Sequence, residues 1–170
     1  MLNYIILIII IIILIIILYN INNSNINNSK IKFIKALEQL DETNPYNKAL
    51  YYGYQMINKF NTAVNASREN GQMVSPFSEA KTFATKATYF ATNARDVDTA
   101  FYSVWDAAIK AALTAESAAN INVNNGAAET AWKLIIQAYF KSNGYNVTVD
   151  TDDINILTDP KELVNNITFN

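Results

Sequence analysis

From Ile5 to Leu18 the chain carries nothing but isoleucine and leucine, fourteen residues in succession. Leu2, Tyr4 and Tyr19 extend this apolar run to about eighteen residues, roughly 27 Å as a helix at 1.5 Å per residue, against a hydrocarbon core of about 30 Å. A cleaved secretory signal is the competing reading. Such a signal has a shorter apolar region, basic residues ahead of it and small residues at the cleavage site. Here no Lys or Arg precedes the run, and Tyr19-Asn20-Ile21-Asn22 offers no small pair. A retained anchor over residues 2–19 therefore fits better than secretion after cleavage, which stays open as the alternative.

The sidedness of such an anchor follows from nearby charge, because Lys and Arg close to a span tend to stay cytoplasmic. Lys30, Lys32 and Lys35 lie on the C-terminal side and only the amino terminus lies on the other. This bias puts the soluble part in the cytoplasm, or inside a particle budded from it. Five Asn-x-Ser/Thr sequons, at Asn22, Asn27, Asn65, Asn146 and Asn166, point instead toward a glycosylating lumen. A chain this rich in Asn would show roughly three by chance, so the lysines weigh more.

Beyond the run, residues 20–29 contain only Asn, Ile and Ser and read as a low-complexity spacer. The remaining 140 or so residues suffice for one compact domain. The net charge of -2 separates into a basic start and an acidic end, Asp150, Asp152, Asp153, Asp159 and Glu162. Neither cluster makes a nucleic-acid stripe, since three lysines on one short segment leave a small electrostatic footprint.

The chain has no cysteine and no histidine. Disulfides, thiolate nucleophiles, Cys or His zinc sites and His general bases are excluded for want of the atoms. Catalysis would have to rest on Asp, Glu, Lys, Ser or Tyr. Asp150, Asp152 and Asp153 invite a calcium reading, but the EF-hand spacing fails: Asn155 stands where glycine is required and Lys161 where a bidentate glutamate is required. Four scattered glycines supply no phosphate-cradling loop. No catalytic residue, cofactor or metal is expected.

Helical signals dominate the soluble part. Ser29 reads as the cap of a short helix to about Thr43, with Ile31, Ile34, Leu37 and Leu40 on one face. Asn44-Pro45 starts a second helix, whose stripe runs Ala49, Leu50, Gly53, Met56, Ile57, Phe60, Ala63 and Val64 until Asn70-Gly71. Tyr46, Tyr51, Tyr52 and Tyr54 form an aromatic cluster on that helix. It can be a ligand or partner surface that works by stacking, or the border of a core with wet hydroxyls.

After Ser75-Pro76 an apolar series recurs at steps of four and three: Phe83, Ala87, Phe90, Ala94, Val97, Phe101, Val104, Ala108, Ala111, Ala115 and Ala118. The spacing predicts one long helix with a heptad seam, pairing with the second helix as an antiparallel hairpin or with another chain by self-association. Asn120 to Val123 alternates like a strand. A helix over 127–142 with Ala128, Ala131, Trp132, Ile135, Ala138 and Tyr139 inward follows, and Asn143-Gly144 caps it. Strands are expected over 145–149, 154–157 and 167–169, with Asp159-Pro160 opening a helical turn.

From Val104 onward the signals are an alanine-rich helix end, an Ile-x-Val strand, a helix, and Phe140-Lys141-Ser142-Asn143-Gly144-Tyr145-Asn146-Val147. This order resembles small uncharacterised proteins of tailed phages and large DNA viruses, in which a Gly-Tyr-x-Val strand follows such a helix and an Ile-x-aromatic strand closes the chain. Ile167-Thr168-Phe169 would be that last strand. The resemblance covers Val104 to Phe169, roughly two fifths of the chain, and brings no catalytic residues with it. The glycine often found after the alanine-rich helix is missing between Leu113 and Asn120.

The expected architecture is mainly α with a small β element (α+β). It comprises an anchor over 1–19, a spacer over 20–29, a helical hairpin or bundle over 30–119, and a β-α-β(β) module over 120–170 packed on the helices. The expected role is that of a membrane-anchored, non-enzymatic structural or interaction protein, with association to a virus particle implied by the resemblance. A secreted or surface module binding a ligand through the tyrosines is the alternative.

Overall fold

The computed structural model describes residues 2–70, 74–121, 126–150 and 159–170. The chain is mainly helical with a small two-stranded sheet, and it divides into two units, Met1–Phe33 and Ile34–Asn170.

Helix α1 runs from Leu2 to Glu38 without a break. Ile and Leu side chains surround it from Ile5 to Leu18, all of them exposed. β-Branched residues are mediocre helix formers in water. In a medium without water, by contrast, the helix is the conformation in which one segment satisfies its own backbone groups. The expected fresh start at Ser29 is corrected here: residues 20–29 are helical and continue the helix of the apolar run. Extending a formed helix costs far less than nucleating a new one, and Asn loses only about 0.7 kcal/mol per residue against Ala. The helix also stops earlier than expected, at Glu38. The Asp41 carboxylate accepts from the backbone N–H of Thr43 at 2.9 Å and from its hydroxyl at 2.7 Å, which turns the chain toward α2.

In the larger unit, α2 (Pro45–Asn70), α3 (Val74–Val97), α4 (Tyr102–Asn120) and α5 (Gly126–Ser142) form an antiparallel four-helix bundle. Each packs on its sequence neighbours and α2 closes the ring against α5. The start of α2 is the one expected: Asn44 Oδ1 accepts from the N–H groups of Tyr46 (2.9 Å) and Asn47 (3.3 Å), with Pro45 at the first helical position. Every residue of its expected stripe from Ala49 to Ala63 is buried, and Val64 is half-buried. Gly53 matters sterically. A Cβ there would lie 2.9 Å from Ile135 Cδ1 and 3.1 Å from the Trp132 ring, so the missing side chain lets α2 and α5 approach.

The single long helix expected over 76–118 is two. The chain leaves helical geometry at Asp98 (φ -118°, ψ 81°), makes a 3-10 turn over Thr99–Phe101 and returns as α4. Arg95 spans this corner, pairing with Asp96 at 3.1 Å and Asp106 at 3.5 Å, and its guanidinium lies over the Tyr102 ring. Because both helices face one core, the four-three rhythm survives the reversal, which is why it reads as unbroken. Ala87, Ala94, Ala108, Ala115 and Ala118 are buried as the seam requires. Val97 is 71% exposed at the corner, and Phe83, Phe90 and Ala111 are half-buried. The inner row of α3 is instead Phe77, Ala80, Ala84, Ala87, Ala91 and Ala94; that of α4 is Trp105, Ala108, Ala112, Ala115 and Ala119.

Helix α5 is the bundle's fourth member. Asn120 closes α4 and Ile121 is a turn, so the expected strand does not begin there; residues 122–125 lie outside the described residues. The end of α5 is a Schellman motif, with Tyr145 N–H donating to Phe140 O (2.9 Å), Gly144 N–H to Lys141 O (3.0 Å), and Gly144 at φ 85°. β1 (Val147–Val149) then pairs antiparallel with β2 (Ile167–Phe169), Thr148 opposite Thr168. Phe169 stands edge-on to Phe140 at 5.2 Å, seating the ribbon on α5. Asp159 caps α6 (Pro160–Leu163) by accepting from Lys161 N–H at 2.8 Å. The expected strand at 154–157, and Asp152 and Asp153 of the acidic turn, lie outside the described residues.

Candidate functional site

Two features of the described residues ask for something outside the chain. The first is α1, which is long and apolar enough to cross a membrane and has none of its apolar segment buried. A core helix of a soluble protein and a signal sequence can match that description in length and composition. The core reading fails here on burial, because Ile5 to Leu18 are all exposed. A helix apolar all round belongs in a core or in a bilayer.

The second feature is the seam between α2 and α3. The structure does not bring the four tyrosines of α2 into one cluster. Tyr54 is 7% exposed, its ring 5.8 Å from that of Trp132, and burial pushes its phenol up. Tyr46 lies at the end of the bundle, 5.7 Å from the ring of Trp105, whose Nε1–H donates to Ser142 Oγ at 2.8 Å. Burial, and then the Asp98 carboxylate, raise the Tyr46 phenol. Both side chains are occupied by the fold, the role expected of tyrosines at the border of a core.

Tyr51 and Tyr52 face the other way and join residues of α3. Tyr52 stacks on Phe90 (5.4 Å, 12° between planes) and lies 6.3 Å from Phe83. Tyr51 meets Tyr52 edge-on at 5.3 Å, and Tyr89 meets Phe90 likewise at 5.0 Å. Lys48 Nζ lies 4.8 Å from the Phe90 centroid and Lys86 Nζ 5.0 Å from that of Tyr52, in cation–π range. Lys48 also pairs with Glu42 at 3.2 Å, whereas the exposed Lys86 has the rings of Tyr52 and Phe83 beside it. Phe83 and Phe90 were assigned to the heptad seam from spacing alone, so this grouping is missed in the sequence. The signal that marks it is Phe83-x-x-Lys86-x-x-x-Phe90, one stripe of α3 a step away from the alanine row.

Asp106 is held below the usual carboxylate range by its bond from Lys110 (2.8 Å) and by Arg95, an ion-paired surface group. No group of three or more metal-ligating side chains converges among the described residues. A shallow, open cleft of about 440 Å³ lies between α4, α5 and β1, lined by Val104, Gln137, Lys141, Tyr145, Asn146 and Asn170 among others. Lys141 Nζ donates to Asn146 Oδ1 at 2.6 Å across its lining.

No protein-family model matches this chain, and neither does a curated protein or a solved structure.

Proposed function

We propose that this chain is a non-enzymatic protein held in a membrane by residues 2–19, presenting its helical bundle for contacts with protein partners. One observation carries the reading: fourteen successive Ile and Leu residues cover every side of α1 and are exposed. At about 0.3 to 0.6 kcal/mol favourable per such residue at the centre of a span, their insertion is worth roughly 4 to 8 kcal/mol. Left in water, the same surface is an aggregation hazard. Lys30, Lys32 and Lys35 favour a bundle on the cytoplasmic side, or in the interior of a particle budded from it. The Gly144-Tyr145-Asn146-Val147 entry into β1 and the closing strand Ile167–Phe169 support a component of a virus particle through the resemblance stated above, although the strand that it expects from Asn120 does not begin there.

Membrane fractions of cells expressing the full chain test the reading. The protein should stay in the pellet after alkaline carbonate extraction and should retain its N-terminal helix by mass spectrometry. A soluble product beginning near Asn20 to Asn25 would overturn the anchor and favour secretion.

A further inference from the structure

The α3 helix places its residues in an unusual order. Its inward row is alanine from Ala80 to Ala94, each residue 0% exposed, while its two central phenylalanines sit outside that row in the groove with α2. Large aromatic side chains supply the most burial per residue when they are placed in a core. Here Phe83, Phe90, Tyr51 and Tyr52 remain half-buried and Tyr89 is 60% exposed. Two ammonium groups hover over the same rings. Aromatic rings joined to lysines on long stems are the combination favoured at the boundary between lipid and water, where the rings lie at headgroup depth and the ammonium reaches the phosphates.

From this arrangement we infer that the α2–α3 face, made by Tyr51, Tyr52, Phe83, Lys86, Tyr89 and Phe90, docks onto the anionic surface of the bilayer in which the chain is anchored. The inference rests on the anchoring reading above. The occupant follows from three features. Anchoring tethers the bundle to the bilayer through residues 20–33, so that docking becomes an intramolecular step at high effective concentration. The exposed cation on the face, Lys86, lies among rings, so a lipid phosphate can approach it without displacing a carboxylate. Lys30, Lys32 and Lys35, which follow the span, favour the same anionic leaflet.

The absence of cysteine makes a direct test simple, because one introduced thiol is labelled uniquely. The full chain carrying Tyr89→Cys with a nitroxide is reconstituted into vesicles of phosphatidylcholine, alone or with phosphatidylserine. The control carries Leu113→Cys, a 47% exposed position on α4. In the anionic vesicles the label at 89 should become accessible to lipid-dissolved oxygen and lose access to a water-soluble relaxant, while the label at 113 stays in water. Lys86→Gln should shift the docked-to-free ratio about fivefold toward free.

A label at 89 that remains in water while the protein still floats with the vesicles overturns the docking and leaves the anchor intact. Equal burial at 89 and 113, or equal burial with and without phosphatidylserine, also overturns it. Immobilisation at 89 that follows protein concentration in detergent makes the face a contact between copies and defeats the proposal. Failure to float at all removes the anchor, and the docking with it.

Discussion

At Gly53 one hydrogen stands where any other residue would press on Ile135 and Trp132. Alanine elsewhere in a helix gains about 1 kcal/mol over glycine. Gly53→Ala should not deliver that gain, and Gly53→Leu should lose about 1 to 3 kcal/mol or more through overpacking, read as urea midpoints. If Gly53→Ala stabilised by the full helix increment, the α2–α5 approach would be looser than described. Tyr139 sets a limit at the alkaline end. It is buried, and desolvation pushes its phenol from 10.0 up to about 12. Below pH about 10 both folded and unfolded chains hold the proton, so its contribution is fully present. As pH rises from there toward 12 the unfolded chain releases the proton and the folded one does not, so stability falls by up to about 1.4 kcal/mol per pH unit. Tyr139→Phe should therefore flatten stability between pH 10 and 12 compared with the parent, measured by denaturant melts at fixed pH. Neither effect is legible in the sequence. Gly53 reads there as one more small residue of a stripe, and its reason lies on a helix more than seventy residues away.

At the scale of elements, spacing located faces better than it located ends. The stripes of α2 and α5, the Asn44-Pro45 start and the Gly144 stop were legible because each rests on local chemistry: a side-chain cap, a proline, a left-handed glycine. The corner at Asp98 was not. Its turn has no proline or glycine, and two helices that face one core keep a common rhythm through a reversal. The aromatic face shares that cause, since joining Tyr52 to Phe83 and Phe90 requires knowing that α3 returns along α2. On α4 the corrected row makes a sharp test. Ala112 is 0% exposed, Ala111 is half-buried and Lys110 is exposed. Ala112→Leu should cost about 1 to 3 kcal/mol and Ala111→Leu less. Lys110→Leu gives up only the surface pair with Asp106 and should cost the least of the three. Midpoints ranked in that order support the row; a larger loss at 111 than at 112 would restore the heptad seam read from spacing, and a loss that varied with protein concentration would place it between chains.

For the molecule as a whole, the proposed anchoring raises the question of which side of the membrane the bundle occupies. Two signals in the chain oppose each other. On the proposed reading, Lys30, Lys32 and Lys35 favour the cytoplasmic side for the C-terminal flank. The sequon at Asn146, exposed just before β1 with Thr148 also exposed, is sterically open to a glycan. The lysines act while the chain is inserting, whereas the sequon is read only if the bundle has already crossed. Under the proposed anchoring the lysines are therefore expected to decide. In a microsomal insertion assay the parent chain should remain unglycosylated and its bundle should be digested by added protease. Changing all three lysines to Gln removes the positive charges that follow the span. The population should then become mixed, with a protected fraction that carries a glycan removed by Asn146→Gln. Identical sidedness before and after the triple change would mean that the length and hydrophobicity of the isoleucine run orient the chain without help from charge. Glycan on the parent chain would place the bundle in the lumen.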